Sequence, residues 1–171
     1  MIQRPDTTEY AEYYADYVRR VPDGDVLDIL EKQLSEFRQT FSTFSDEQAM
    51  TAPKENAWTL KQVLGHLCDA ERIFGYRAFR ISRRDATPLA SFDQDAYVRE
   101  GKFNERAVRD LLEELERLRR ENLVLFRSIS EEASTFRGTA SGYPISVRAL
   151  MYIAAGHAQR HLELIRAGRA R

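Results

Sequence analysis

The chain contains three histidines, His66, His157 and His161, and the last two stand four residues apart on a segment with helical periodicity. An α-helix turns every 3.6 residues, so His157 and His161 project from one stripe, about 6 Å apart along the axis. Two imidazoles so spaced can close on one transition-metal ion, and His66 lies in another predicted helix that could pack against theirs. Three neutral nitrogen donors leave coordination positions open for water or substrate, as a catalytic site does and a closed structural site does not. The competing reading is three unrelated surface or core histidines.

The faces of the helices weigh between these readings. In the final helix Val147, Leu150, Met151, Ala154, Ala158, His161 and Ile165 recur at i, i+3, i+4 spacing. His161 therefore sits within the apolar stripe and His157 about 40° from it, while Arg160 and Glu163 project away. In the helix opening at Thr59 the seam runs Leu60, Leu64, Leu67, Glu71, Phe74, Ala78 and Ile81. His66 lies on its flank, half inward. Cys68, two residues on, points about 200° from His66 and reads as a packed thiol. Asp69 at i+3 could orient the imidazole or could be a solvated carboxylate. Glu71, in mid-seam, requires a cationic partner, for which Arg148 is a candidate. The final motif, His157-Ala158-Gln159-Arg160-His161, lacks the glutamate that serves as general base in His-Glu-x-x-His metalloproteases. Neither a glycine-rich phosphate loop, a serine elbow nor the paired Glu-x-x-His sequences of a di-iron bundle is present.

The elements that must position these side chains are helical, with almost no strand. Thr7 or Thr8 is predicted to cap a first helix through Val18, stopped by Val21-Pro22-Asp23-Gly24. A second helix is predicted from Asp25 to Phe44, then a loop from Ser45 to Asn56 with room for one short turn. Thr59-Leu60-Lys61-Gln62 has the form of a capping box and opens a helix to about Arg83. Asp85 to Gly101 is polar, with a short turn near Asp93 to Val98. Asn104 is predicted to cap a helix to about Ile129, and Ser130 to Ile145, with Gly138, Gly142 and Pro144, to be a connector. Ser146 caps a last helix ending near Ala167-Gly168. The expected class is all-α: an antiparallel four-helix bundle with an additional N-terminal helix. Tyr97 and Tyr143, on connectors that could border the histidines, are candidate substrate contacts.

Composition bounds the partners. At 171 residues the chain is expected to form one domain, residues 1–171, with a core that needs no staple. Its 26 basic and 27 acidic residues leave a net charge of −1, which argues against nucleic-acid binding. Cys68 is the single cysteine and fits a reducing compartment. Met1 to Asp6 carries no apolar signal core, and no run approaches the ~20 apolar residues that span a bilayer. A cytoplasmic protein without a membrane partner is expected.

Several segments in order carry a family resemblance. They are Tyr10-Ala11-Glu12-Tyr13-Tyr14, Val21-Pro22-Asp23-Gly24-Asp25, Trp58-Thr59-Leu60-Lys61-Gln62-Val63-Leu64-Gly65-His66-Leu67 and Asp69-Ala70-Glu71-Arg72-Ile73-Phe74. Phe92-Asp93-Gln94-Asp95-Ala96-Tyr97 and Gly156-His157 with His161 complete the set. Together they resemble the DinB-like (YfiT-like) superfamily of metal-dependent enzymes, nearly end to end. The resemblance implies a homodimeric four-helix bundle in which His66, His157 and His161 hold one zinc, nickel or similar divalent ion. It implies a small-molecule substrate and, as cosubstrate, a low-molecular-weight thiol such as bacillithiol, mycothiol or glutathione. A metal-bound thiolate or water would be the reactive species, with no further catalytic residue assigned. The expected activity is thiol S-transfer; the alternatives are a metal-dependent hydrolase and a non-catalytic, stress-related metal-binding protein.

Overall fold

The computed structural model describes residues 1–55 and 57–168. Four long helices form the bundle: α2 (Val26–Phe41), α4 (Leu60–Ser82), α6 (Val108–Ser128) and α8 (Val147–Arg166). Short helices α1 (Ala15–Arg20), α3 (Asp46–Ala49), α5 (Gln94–Glu100) and α7 (Glu131–Ser134) fill the connections. Around the bundle the order is α2, α6, α4, α8, each packing against the next, so α4 and α8, the histidine helices, are direct neighbours. The chain is an antiparallel four-helix bundle with an additional N-terminal helix.

Local chemistry explains where the helices begin. Gly24, at φ 134°, makes the turn after Pro22, and the Asp25 carboxylate then accepts from Leu27 N (2.9 Å) to start α2. Thr59 and Gln62 form the reciprocal capping box: Thr59 Oγ1 accepts from Gln62 N (3.1 Å) and Gln62 Oε1 from Thr59 N (2.9 Å). Ser146 Oγ accepts from Ala149 N (3.0 Å) at the start of α8.

Several boundaries differ from those expected. Asp6, not Thr7 or Thr8, is the first cap, and two single 3₁₀ turns (Thr7–Glu9 and Glu12–Tyr14) precede a six-residue α1 that ends at Arg20. α2 stops at Phe41, and the following loop contains α3; Asn56, its expected end, lies outside the described residues. α6 starts at Val108, whose N–H donates to Asp46 Oδ1 (2.8 Å), a cap supplied from across the fold. Asn104, expected as that cap, instead accepts from Thr59 Oγ1 (2.6 Å) and so braces the start of α4. The connector before α8 holds a two-stranded antiparallel hairpin, β1 (Arg137–Ala140) with β2 (Tyr143–Ser146). Its turn residues Ser141 and Gly142 take φ 54° and 82°, as a type I′ hairpin turn requires.

One polar cluster crosses the core. Arg119 on α6 is bidentate to Glu71 on α4 (Nε–Oε2 3.0 Å, Nη2–Oε1 2.7 Å), and its Nη1 donates to Leu30 O and Gln33 Oε1 on α2. Gln33 Nε2 reaches Ala155 O on α8 (2.8 Å), and Asn122 Nδ2 donates to Glu71. All four helices are thus joined by satisfied buried polar groups. The partner of Glu71 is Arg119, not Arg148; Arg148 pairs with Glu9 in the N-terminal segment. Helix periodicity places Glu71 inward but cannot say which arginine faces it.

Candidate metal centre

α4 supplies His66, and α8 supplies His157 and His161 one turn apart. Each helix carries a glycine just before its first histidine, and each glycine admits a close neighbour. A Cβ at Gly65 would lie 2.1 Å from Cγ of Phe103, and one at Gly156 would lie 1.9 Å from the carbonyl oxygen of Tyr17. The histidines are consequently walled in rather than left at a groove edge. Their residual exposures are 3%, 6% and 5%, so His66, expected half inward, is buried like the other two. Trp58 packs on the His66 ring (4.9 Å between centroids) and covers its outer side.

The three rings point their Nε2 atoms at one another. His157 Nε2 is 2.9 Å from His66 Nε2 and 3.2 Å from His161 Nε2. Two neutral nitrogens can share only one proton between them, so three such atoms facing inward satisfy each other poorly. A cation among them satisfies all three. For zinc–nitrogen bonds of about 2.0–2.1 Å, tetrahedral donors stand about 3.3 Å apart, close to the 2.9 and 3.2 Å of the two pairs that His157 makes. Among the described residues this is the one group of three or more His, Cys, Asp or Glu side chains with donor atoms so gathered, within 4.8 Å of one another.

The surroundings favour neutral imidazoles. Burial, then the proximity of His161 and His66, then Arg119 and Arg160, hold His157 well below its ordinary value of 6.5. Tyr17 and Phe74 meet its ring edge-on at 5.4 and 5.8 Å. A cavity of about 520 Å³ opens from His66 and His157 past Phe74, Tyr17, Tyr13, Phe92 and Tyr143. Its walls are mostly aromatic, with Asp93 and Asp95 also contributing.

The remaining candidates are placed as follows. Cys68 is buried with its Sγ 3.6 Å from Leu111 O on the α6 side, and burial raises its thiol pKa. Asp69 pairs with Arg72 (3.6 Å). Tyr143 lines the cavity, whereas Tyr97 stacks on Phe92 (5.3 Å) and lies half exposed outside it. Tyr13, Tyr14 and Tyr17 also line the cavity, which sequence reasoning misses. Their signal was present in the crowded tyrosines of the first segment, but no local rule says that this segment folds over α8.

Comparison with known proteins agrees with the fold. The sequence profile of the DinB superfamily matches residues 29–165. Among solved structures, YfiT from Bacillus subtilis, described as a probable metal-dependent hydrolase with an unusual four-helix bundle topology, superposes with a TM-score of 0.77 at 16% identity. That match covers 97% of this chain and 91% of the other. The mycothiol-dependent maleylpyruvate isomerase superposes with a TM-score of 0.69 at 14% identity over 85% of this chain, which spans only 61% of that one. No curated protein matches by sequence.

Proposed function

The chain belongs to the DinB superfamily, and from that premise we propose that it is a metal-dependent enzyme whose divalent ion, zinc or nickel, is held by His66, His157 and His161. The carrying observation is the convergence of three buried Nε2 atoms at 2.9 and 3.2 Å beside a cavity. The reaction we propose is transfer of a low-molecular-weight thiol, such as bacillithiol, mycothiol or glutathione, onto a small electrophilic substrate. Hydrolysis is the second reading, favoured by the description of the Bacillus subtilis protein. We further propose a single domain over residues 1–171, a homodimer and a cytoplasmic location.

A divalent ion held by neutral ligands keeps its full charge and supplies Lewis-acid chemistry, acidifying a thiol or water brought to it. The protein's own part is to keep those ligands neutral and to control access. Burial keeps the His157 ring unprotonated with its lone pair available. Phe74 and Tyr17 exclude bulk water from the ring edges, which strengthens electrostatic interactions inside the site. Tyr13, Phe92 and Tyr143 offer flat apolar faces to a substrate, and Tyr143 meets Tyr13 edge-on at 5.7 Å to form one wall.

The reading is tested by incubating the metal-loaded protein with each thiol class and a panel of electrophiles, and in parallel with esters and amides. Turnover of a thiol–electrophile pair that disappears in His161→Ala is the expected result. Ester or amide cleavage with the same dependence would instead establish the hydrolase. No turnover in either panel from a fully metal-loaded protein would contradict both.

A further inference from the structure

Part of the cavity wall lies outside the four long helices. Ser91 and Phe92 contribute from the segment before α5, and Ser141 and Tyr143 from the hairpin. Backbone pairing joins these two segments at Leu89: its N–H donates to Thr139 O (2.8 Å), and its carbonyl accepts from Ser141 N (2.9 Å). Beyond that point, among the described residues, no backbone–backbone hydrogen bond holds residues 90–92; the next is Tyr97 N to Asp93 O in α5. Phe92 therefore follows a stretch that backbone pairing leaves unsupported.

Arg77 on α4 supplies the support. Its Nη2 donates to Ala90 O (2.7 Å) and to Ser141 Oγ (2.9 Å), so both hydrogens of one nitrogen are committed, one to each segment. Its guanidinium carbon stands 6.0 Å from the centroid of the Phe92 ring, within cation–π range. On the hairpin side it holds Ser141, whose φ of 54° lies in a region sparsely used by residues other than glycine. Arg77 is 2% exposed and lies behind the wall rather than in it. A side chain so enclosed keeps one rotamer, which makes the clasp a fixed spacer. Each of its three contacts falls on a cavity wall or on the residue next to one. The histidines are remote from it: Arg77 follows His66 by 11 residues, about 16 Å of helix rise.

We propose that Arg77 is a positioning residue for the substrate: through Ala90 and Ser141 it fixes the walls that carry Phe92 and Tyr143, and so sets the preference for a substrate with a flat apolar group. Arg77 acts through those walls and does not touch the substrate itself. The assignment rests on reading this cavity as the substrate site, and it deepens that reading by naming a specificity determinant.

The test loads the protein with cobalt(II), whose absorption spectrum gains a charge-transfer band when a thiolate binds. Benzyl thiol and 2-mercaptoethanol, two thiols of similar acidity, are titrated separately. The wild type is expected to bind benzyl thiol about tenfold more tightly, the smaller end of what burying a phenyl ring supplies. In Arg77→Met that preference is expected to disappear, while cobalt content and the affinity for 2-mercaptoethanol stay at wild-type values. Ser141→Gly keeps the positive φ and removes only the hydroxyl, so it covers the case in which Arg77→Met does not fold; it is expected to lose part of the preference. A full preference retained in a folded Arg77→Met, or in Ser141→Gly if the first does not fold, overturns the proposal. So does an equal loss of both thiols in the variant, which would make Arg77 a general structural residue. Binding of 2-mercaptoethanol needs only the ion and reports on the metal site separately. Its absence in the wild type would overturn the metal reading and this proposal with it, whereas its presence with no preference for benzyl thiol would overturn this proposal alone.

Discussion

Gly156 is in direct contact with the backbone of Tyr17: a Cβ at Gly156 would stand 1.9 Å from the Tyr17 carbonyl oxygen and 2.9 Å from its Cα. This contact seats the N-terminal segment on α8 immediately beside His157, and the Tyr17 ring meets His157 edge-on. Gly156→Ala must push that segment away, because the obstructing atoms are main chain and cannot rotate aside. The expected loss is about 3 kcal/mol of stability, the upper part of the overpacking range. Denaturant unfolding checks it. A variant as stable as the wild type, with unchanged metal affinity, would show that the segment is not anchored there.

The Glu71–Arg119 pair predicts an asymmetry. Arg119→Met leaves a buried carboxylate without its partner and should cost about 3–5 kcal/mol, the range for breaking a buried ion pair. Combining it with Glu71→Leu should recover much of the loss, although Gln33 and Asn122 would still lose acceptors or donors. Denaturation of the two single variants and the double variant checks this. Strictly additive losses would mean that the two residues do not act as a pair.

Two pH windows follow from the perturbed groups. His157 is depressed below 6.5 in the folded chain, so below that pH the unfolded chain gains a proton that the folded one resists. Its contribution is complete above 6.5 and is lost as pH falls toward the folded value. Glu9 is also buried, which alone would raise its pKa. Hydrogen bonds from Arg148, Ser146 and the Asp6 N–H outweigh burial and hold it at about 2, against an ordinary 4.5. Its contribution is complete above 4.5 and is lost between 4.5 and about 2. In metal-free protein His157→Phe should flatten the first descent and leave the second. Descents that ignore the substitution would show that other groups govern acid unfolding.

Cys68 should be inert. Its thiol is buried and its pKa raised, so little thiolate is available at neutral pH. A thiol reagent should label it only on unfolding, and Cys68→Ala should keep full metal content. Rapid labelling of the folded protein would place the sulfur elsewhere.

Much of this was legible in the residues. The capping sequences at Thr59 and Ser146 marked where both histidine helices begin, and the apolar stripe carrying His161 marked its inward direction. The N-terminal turns were harder to read because Asp6, Thr7 and Thr8 all suit a cap and only the path of the chain chooses among them. The hairpin leaves little signal in the sequence because its strands are four residues long and include Gly138 and Pro144. What periodicity cannot supply is partnership across the fold. Arg119 with Glu71, Tyr17 against Gly156 and Asp46 capping α6 all join residues far apart in sequence.

The central claim is that His66, His157 and His161 hold one divalent ion. Its most direct test is elemental analysis of the untagged protein beside the variant with all three histidines replaced by alanine, after identical purification and dialysis. The account predicts close to one ion per chain in the wild type, essentially none in the variant, and a folded helical chain in both, because a core of this size does not depend on metal. Equal metal content in the two proteins would contradict it.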